Sequence, residues 1–358
     1  KLKEPDGIDF LGGKKILSNE EPLAQAYAGH QFGNFVPQLG DGRAMLLGEV
    51  IGTDGTRRDI QLKGSGKTPF SRMGDGRSGL GPVLREYLVS EAIFAFGIPT
   101  TRALAALLTG ERIIREEPVP GAILTRVAKS HVRIGTFEYF ARRGQTINVK
   151  LLADYIIDRH YSDISNHSNK YCHLLKRVIE KQALLIAKWM GVGFIHGVMN
   201  TDNMTLSGET IDFGPCAFMD QFEVDKVYSS IDTYGRYRFS NQPNIALWNL
   251  SRLAETLIPL IHEDQAISIR KAEEALDVFL PLFTESWVEI MGKKLGIEQP
   301  KVTDKILIED LLKSMQKGKS DFTNTFRKLP HILDKESEGN WFSLFSDPKD
   351  TELKNWQK

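Results

Sequence analysis

The chain has 358 residues, 41% of them hydrophobic and 26% charged, enough to bury a large core as one big domain or as two lobes. Lys plus Arg and Asp plus Glu both number 46, so no global charge bias points to nucleic acid or an anionic membrane surface. Cys172 and Cys216 are the only cysteines, which argues against a disulfide scaffold or zinc site and suits a reducing compartment, and no apolar run reaches the roughly 18 residues that span a bilayer.

The first third predicts strands and tight turns. Gly40, Asp41, Gly42 and Arg43 form a G-D-G-R loop just before "AMLLGEVI" (44–51), which pairs across "GTDGTR" with "RDIQLK" (58–63) as a hairpin. Lys63 ends the second strand, where a kinase keeps its phosphate-holding lysine. A second G-D-G-R follows at Gly74, Asp75, Gly76 and Arg77, directly before a helix over 81–97 with Pro82 in its first turn and Gly97 at its stop. Val89, Ile93 and Phe96 form one stripe of that helix. A lysine in the position of Lys63 needs a carboxylate from the following helix; Glu86 and Glu91 are both available, and Glu86 shares the stripe of Val89 and Ile93. Each G-D-G-R is also a good β-turn, but glycines let backbone N–H groups approach phosphate oxygens and arginine adds a bidentate donor.

"GAILTRVA" (121–128) reads as another strand. Arg126 inside it and Arg133 after it need partners, which either a phosphate or an acidic neighbour can supply. Between Arg57 and Arg133 the chain carries 13 Lys or Arg against 7 Asp or Glu, and 11 of its 31 glycines fall between Gly40 and Gly81. A glycine-rich cationic stretch suits a polyphosphate.

From about residue 149 the pattern turns helical, with helices predicted over 149–158, 174–191 and 245–261. After about Glu298 the sequence is polar and weakly periodic. Between the second and third of these helices lies "HGVMNTDNMTLSGETIDFGP" (196–215). Kinase catalytic loops read H-R-D-x-x-x-x-N and are followed by D-F-G. His196 and Asn203 keep that spacing and Asp212-Phe213-Gly214 follows, but Val198 occupies the slot of the base. Asn203 and Asp212 offer the hard oxygens that Mg²⁺ takes together with phosphate. Asp202, beside Asn203, is the only carboxylate in the loop able to take a proton from an acceptor hydroxyl, although it also reads as a loop-capping aspartate. A mostly-β first lobe (1–130) and a mostly helical second lobe (131–358) give an α+β, bilobal, protein-kinase-like fold class.

"YAGHQFGNFVPQLGDGRA", "DIQLKGSGKTPFSRMGDGRSGL", "REYLVSEA", "GIPTTRAL" and "HGVMNTDNM…IDFGP" together resemble the selenoprotein O family, also called the YdiU family, from about residue 20 to at least 260. The resemblance implies a kinase-like protein adenylyltransferase that moves AMP from ATP to Ser, Thr or Tyr hydroxyls with Mg or Mn, self-modification included, and releases pyrophosphate. Its nucleotide lies reversed relative to a kinase. The family's nucleotide contacts fall on Gly40, Gly42, Arg43, Lys63, Asp75, Gly76, Arg126 and Arg133, its base on Asp202, and its metal ligands on Asn203 and Asp212, with Glu86 pairing Lys63. Many members carry a cysteine or selenocysteine near the far C-terminus, and none follows Cys216 here, so no redox switch of that kind is expected. The chain starts at Lys1 without methionine or a signal-like segment and reads as a trimmed piece. The resemblance implies the cytoplasm in a bacterium or the mitochondrion in a eukaryote, with proteins rather than nucleic acid or membrane as partners. UMP transfer with Mn, phosphoryl transfer by a divergent kinase, and an inert nucleotide-binding scaffold are the competing readings.

Overall fold

The computed structural model describes residues 3–15, 21–333, 338–348 and 350–357. The chain divides into two compact units: Lys1–Val178 with Asn200–Gly214 and Asn249–Glu273, and Ile179–Met199 with Pro215–Trp248 and Glu274–Lys358. Helix and antiparallel sheet are both abundant, a mixed α/β architecture.

In the first unit, helix α1 (Pro5–Leu11) precedes a short antiparallel pair, β1 (Gly29–Gln31) and β2 (Asn34–Val36). The predicted hairpin forms as β3 (Ala44–Ile51) against β4 (Arg57–Lys63). A five-stranded antiparallel sheet grows from it: β3, β4, then β7 (Pro118–Ala128), which also pairs with β5 (Ser78–Gly79) and β6 (Arg102–Ile114). Side chains alternate between the faces of a strand. Ile60 and Leu62 pack with Leu47 and Ile123 on one face. Helix α2 (Leu80–Ala95) packs on the other, where Val83 meets Ala122 and Leu124. Gln61 lies opposite Arg126 in the register, so both point to the α2 side, as does Lys63. Burial of each such apolar side chain stabilises by about 1.5–3 kcal/mol.

The stripe that α2 buries is Val83, Glu86, Ser90 and Ile93, while Val89 is half-buried and Phe96 is 58% exposed. The 3.6-residue period was legible, but its phase was set by a polar residue, Glu86, that faces the sheet. Strand β6 had no strand signature. "RALAALLTGERII" is rich in Ala, Leu, Arg and Glu, good helix formers, and pairing along β7 overrides that preference. Two helices follow, α3 (Ile134–Ala141) and α4 (Thr146–His160), the latter containing the helix predicted over 149–158.

Helix α5 (Lys170–Gly191) ends in the second unit, which also holds the short pair β8 (Phe194–Ile195) and β9 (Ala217–Phe218). Helices α6 (Gln242–Ile261), α7 (Gln265–Leu276) and α8 (Phe279–Lys294) follow. The stretch beyond Glu298, which offered little pattern, folds as α9 (Lys305–Gly318), α10 (Phe322–Arg327), α11 (Glu338–Phe342) and α12 (Thr351–Gln357). Helix α9 buries Ile308, Leu311 and Met315 on a narrow stripe, and Trp341 is fully buried with its indole N–H donating to the Thr325 carbonyl at 2.9 Å. Among the described residues, no helix is long and apolar enough to cross a membrane.

Candidate active site

Lys63 at the end of β4 donates from Nζ to Glu86 Oε2 at 2.6 Å and to Asp212 Oδ1 at 2.5 Å. Glu86, not Glu91, is thus the helix carboxylate that meets the lysine; Glu91 binds Arg102 through both oxygens at 2.7 Å. Arg126 on β7 donates to Glu86 Oε1 at 3.0 Å, to Asp212 Oδ1 at 2.7 Å and to Gln61 Oε1 at 2.5 and 3.1 Å. Arg133, just before α3, donates to Asp212 Oδ2 at 2.5 Å and to the Asp202 carbonyl at 2.7 Å. Its guanidinium lies 4.7 Å from the centre of the Tyr27 ring, and Asp41 Oδ1 is 3.7 Å away. Three cations therefore converge on one carboxylate. Burial alone would raise the pKa of Asp212, but Lys63, Arg133 and Arg126 outweigh it and hold the carboxyl well below its usual range. Glu86 is likewise lowered, burial being offset by Lys63 and Arg126. The backbone of Asp212 has φ 64°, a left-handed conformation that a non-glycine residue adopts at some cost, and such strain concentrates at functional sites.

The first glycine loop is tied to the segment after β4. Thr68 Oγ1 donates to the Asp41 carbonyl at 2.7 Å and Ser71 Oγ to the Gly42 carbonyl at 2.5 Å, while Gly40 N–H donates to the Tyr27 carbonyl at 3.2 Å. Asp41 is buried, accepting from Gln61 Nε2 at 3.0 Å and Gln25 N–H at 3.2 Å. Arg43 is exposed, its carbonyl accepting from Gly64 N–H at 2.6 Å. In the second loop Gly76 has φ 69°, and a Cβ there would overlap the Gly66 carbonyl, so only glycine allows this approach. Asp75 turns to Arg115, bonding it at 2.9 and 3.0 Å; those bonds lower its carboxyl to about 2. Arg77 pairs with Glu111. The backbone of this loop therefore approaches the turn after Lys63, whereas its charged side chains are engaged at the sheet edge.

Asp202 lies in a single helical turn, Thr201–Asn203, and is 7% exposed. Its Oδ1 has no hydrogen-bond partner among the described residues. Burial pushes its carboxyl up to about 6, against the pull of Arg133. Asn203 is half-buried beside it, its N–H donating to the Asn200 carbonyl at 3.0 Å. An amide oxygen from Asn203 and a carboxylate from Asp212 are hard donors of the kind Mg or Mn uses with phosphate oxygens, so the donor set fits a divalent ion. His196 and Val198 belong to the second unit, where the His196 ring stacks on Trp189 at 5.4 Å and the His196 backbone N–H donates to Gln242 Oε1 at 3.1 Å.

The family model described as "Protein adenylyltransferase SelO" matches residues 1–358. The chain belongs to the SelO family. It is 58% identical over 329 residues to a "Protein nucleotidyltransferase YdiU" of Methylorubrum populi, covering 92% of this chain and 66% of that protein. It is 56% identical over 346 residues to the protein of the same description in Rhizobium rhizogenes, covering 96% and 69%, and 56% identical over 353 residues to that of Clostridium botulinum, covering 97% and 72%. The chain thus spans about two thirds of the length of these relatives.

Within this SelO-family site, sequence reasoning passed over Gln61, Tyr27, His30, Glu138 and Thr201. Gln61 had a signal, since it shares a strand face with Lys63 two residues away. Glu138 on α3 had none. Burial pushes its carboxyl up to about 7 despite a bond from Thr201, and His30 Nδ1 lies 2.5 Å from its Oε1.

Proposed function

We propose that this chain transfers AMP from ATP to Ser, Thr or Tyr hydroxyls of proteins, its own included, and releases pyrophosphate. The observation that carries the reading is the convergence of Lys63, Arg126 and Arg133 on Asp212, with Arg133 also bonded to the turn that bears Asp202. Lys63 and Arg126, fixed by Glu86 and Gln61, and Arg133, fixed by the Asp202 carbonyl, suit a leaving pyrophosphate, whose oxygens would take over the place of the Asp212 carboxylate among them. Asp202, with an unpartnered oxygen and a carboxyl raised toward neutrality, is the general base. The acceptor oxygen forms a bond to the α-phosphorus and its proton passes to Asp202. The bond from the α-phosphorus to the bridging oxygen breaks, and pyrophosphate leaves with the electron pair. Asn203 and Asp212 would hold Mg or Mn, which when bound would supply charge neutralisation at the phosphate oxygens. Gly40, Gly42 and Gly76 offer backbone close to the phosphates, and Arg43 and Asp75 complete the nucleotide contacts, Asp75 on leaving the Arg115 partner that it has in the nucleotide-free chain.

The same reading takes residues 1–130 and 131–358 as the two lobes of a kinase-like fold; the antiparallel sheet with Glu86 of α2 set against Lys63 supports it. The two cysteines, Cys172 and Cys216, are both buried, which suits the cytoplasm of a bacterium. Incubation with ATP labelled at the α- or the γ-phosphate, with Mg or Mn, tests the reaction. Protein should take up α-label with stoichiometric pyrophosphate; incorporation of γ-label establishes a kinase instead, and neither label an inert scaffold.

A further inference from the structure

The segment "YAGHQFG" places β1 directly beside the turn that carries Asp202, and nothing in the reaction above uses its histidine. His30 N–H donates to Thr201 Oγ1 at 2.7 Å, and Thr201 Oγ1 in turn donates to Glu138 Oε2. The other oxygen of Glu138 lies 2.5 Å from His30 Nδ1, so strand, turn and α3 are closed into one ring of bonds. Phe32 N–H adds a bond to Asn200 Oδ1 at 3.1 Å. His30, Glu138 and Thr201 are 7%, 2% and 0% exposed, so this polar ring has been kept out of water despite the cost of desolvating its groups. Gly29 completes the fit, because a Cβ there would overlap Asp202 Oδ1.

We propose that His30 and Glu138 are positioning residues for transfer: acting through Thr201, they fix the 200–203 turn so that Asp202 holds its unpartnered Oδ1 in the space that Gly29 leaves open. Neither residue touches the reacting atoms. The Thr201 hydroxyl is the link, accepting from one partner and donating to the other. The inference rests on the reading of Asp202 as the base. A base displaced by about 1 Å from its acceptor loses roughly 10²-fold in rate while substrate binding is untouched.

Single-turnover transfer rates and nucleotide titrations on Thr201→Val, Thr201→Ser, Glu138→Gln and Asp202→Asn test it. Thr201→Val keeps the shape without the hydroxyl and should slow transfer roughly 10²-fold, with nucleotide affinity and melting temperature close to wild type. Thr201→Ser restores the hydroxyl and should recover most of the rate. Wild-type speed in Thr201→Val, or a loss that follows nucleotide affinity, overturns the proposal. If Thr201→Val does not fold, Glu138→Gln decides: it retains an acceptor for Thr201 but loses the charge facing His30, and should slow transfer about tenfold at unchanged affinity. A wild-type rate in folded Glu138→Gln then overturns the proposal. Asp202→Asn separates the two layers. If it is as fast as wild type, the base assignment itself fails; if it is inactive while Thr201→Val is not slowed, only the positioning role fails.

Discussion

Asp212 stands in a left-handed backbone conformation with both carboxylate oxygens taken by cations. Arg126 and Arg133 are 1% and 2% exposed, and Asp212 bonds both; Arg126 keeps Glu86 as a second partner, but without Asp212 the buried positive charge is under-compensated. Asp212→Ala should therefore cost about 3–5 kcal/mol of stability in the nucleotide-free chain. The loss should shrink when pyrophosphate or ATP is present, because phosphate oxygens supply the missing counter-charge. Urea unfolding with and without pyrophosphate measures it; an equal loss in both conditions would remove phosphate from this cluster. Glu86 could be singled out from Glu91 in the sequence, since it sits one turn before Val89 and two before Ile93. The counter-ion of Arg126 could not, because an acidic neighbour and a phosphate satisfy the same guanidinium.

At the scale of elements, three pieces of the first unit are fastened by Asp59 of β4. Its Oδ2 accepts from the His131 N–H at 2.9 Å and lies 3.0 Å from His131 Nδ1, and its Oδ1 accepts from Arg159 of α4 at 2.6 Å. Burial lowers the pKa of His131, aided by Arg126 and Arg133 and opposed by Asp59. Burial would raise that of Asp59, but His131 and Arg159 reverse the sign and lower it. Both shifts act in the same direction on stability. An unfolded histidine takes up a proton below about pH 6.5 while the buried one stays neutral, so stability falls as the pH drops below that value. The Asp59 carboxylate contributes stability above about pH 3.9 that is lost as the pH falls through its lower folded value. The stability contributed by this pair should thus begin to decline near pH 6.5 and fall further below about 4, whereas Glu138 and Asp202, whose carboxyls burial raises, act in the opposite direction. His131→Gln should flatten the upper part of that slope in urea midpoints measured across pH 5 to 7, and an unchanged slope there would exclude His131 as its source.

Over the whole molecule, every residue assigned to nucleotide, metal or base belongs to the first unit, with residues 200–214 returning to it after α5 and β8. Ligand binding is therefore linked to the folding of that unit. ATP at about 100 times its dissociation constant should raise unfolding free energy by about 2.7 kcal/mol, and Arg133→Met should remove most of that gain. An equal gain in Arg133→Met, read by thermal unfolding, would take Arg133 out of the nucleotide site. By itself the sequence determined the β3–β4 hairpin, α2, β7, the helices α4 to α6 and the string from His196 to Asp212. Period-2 and period-3.6 patterns, turn residues and motif spacing are all local properties of the chain. Tertiary structure alone decided the rest. Strand β6 became a strand because β7 offered it a ladder. His30 met Glu138 across 108 residues and Thr201 across 171, and such pairings exist only after distant segments have been packed, since no local pattern encodes which buried donor will find which acceptor.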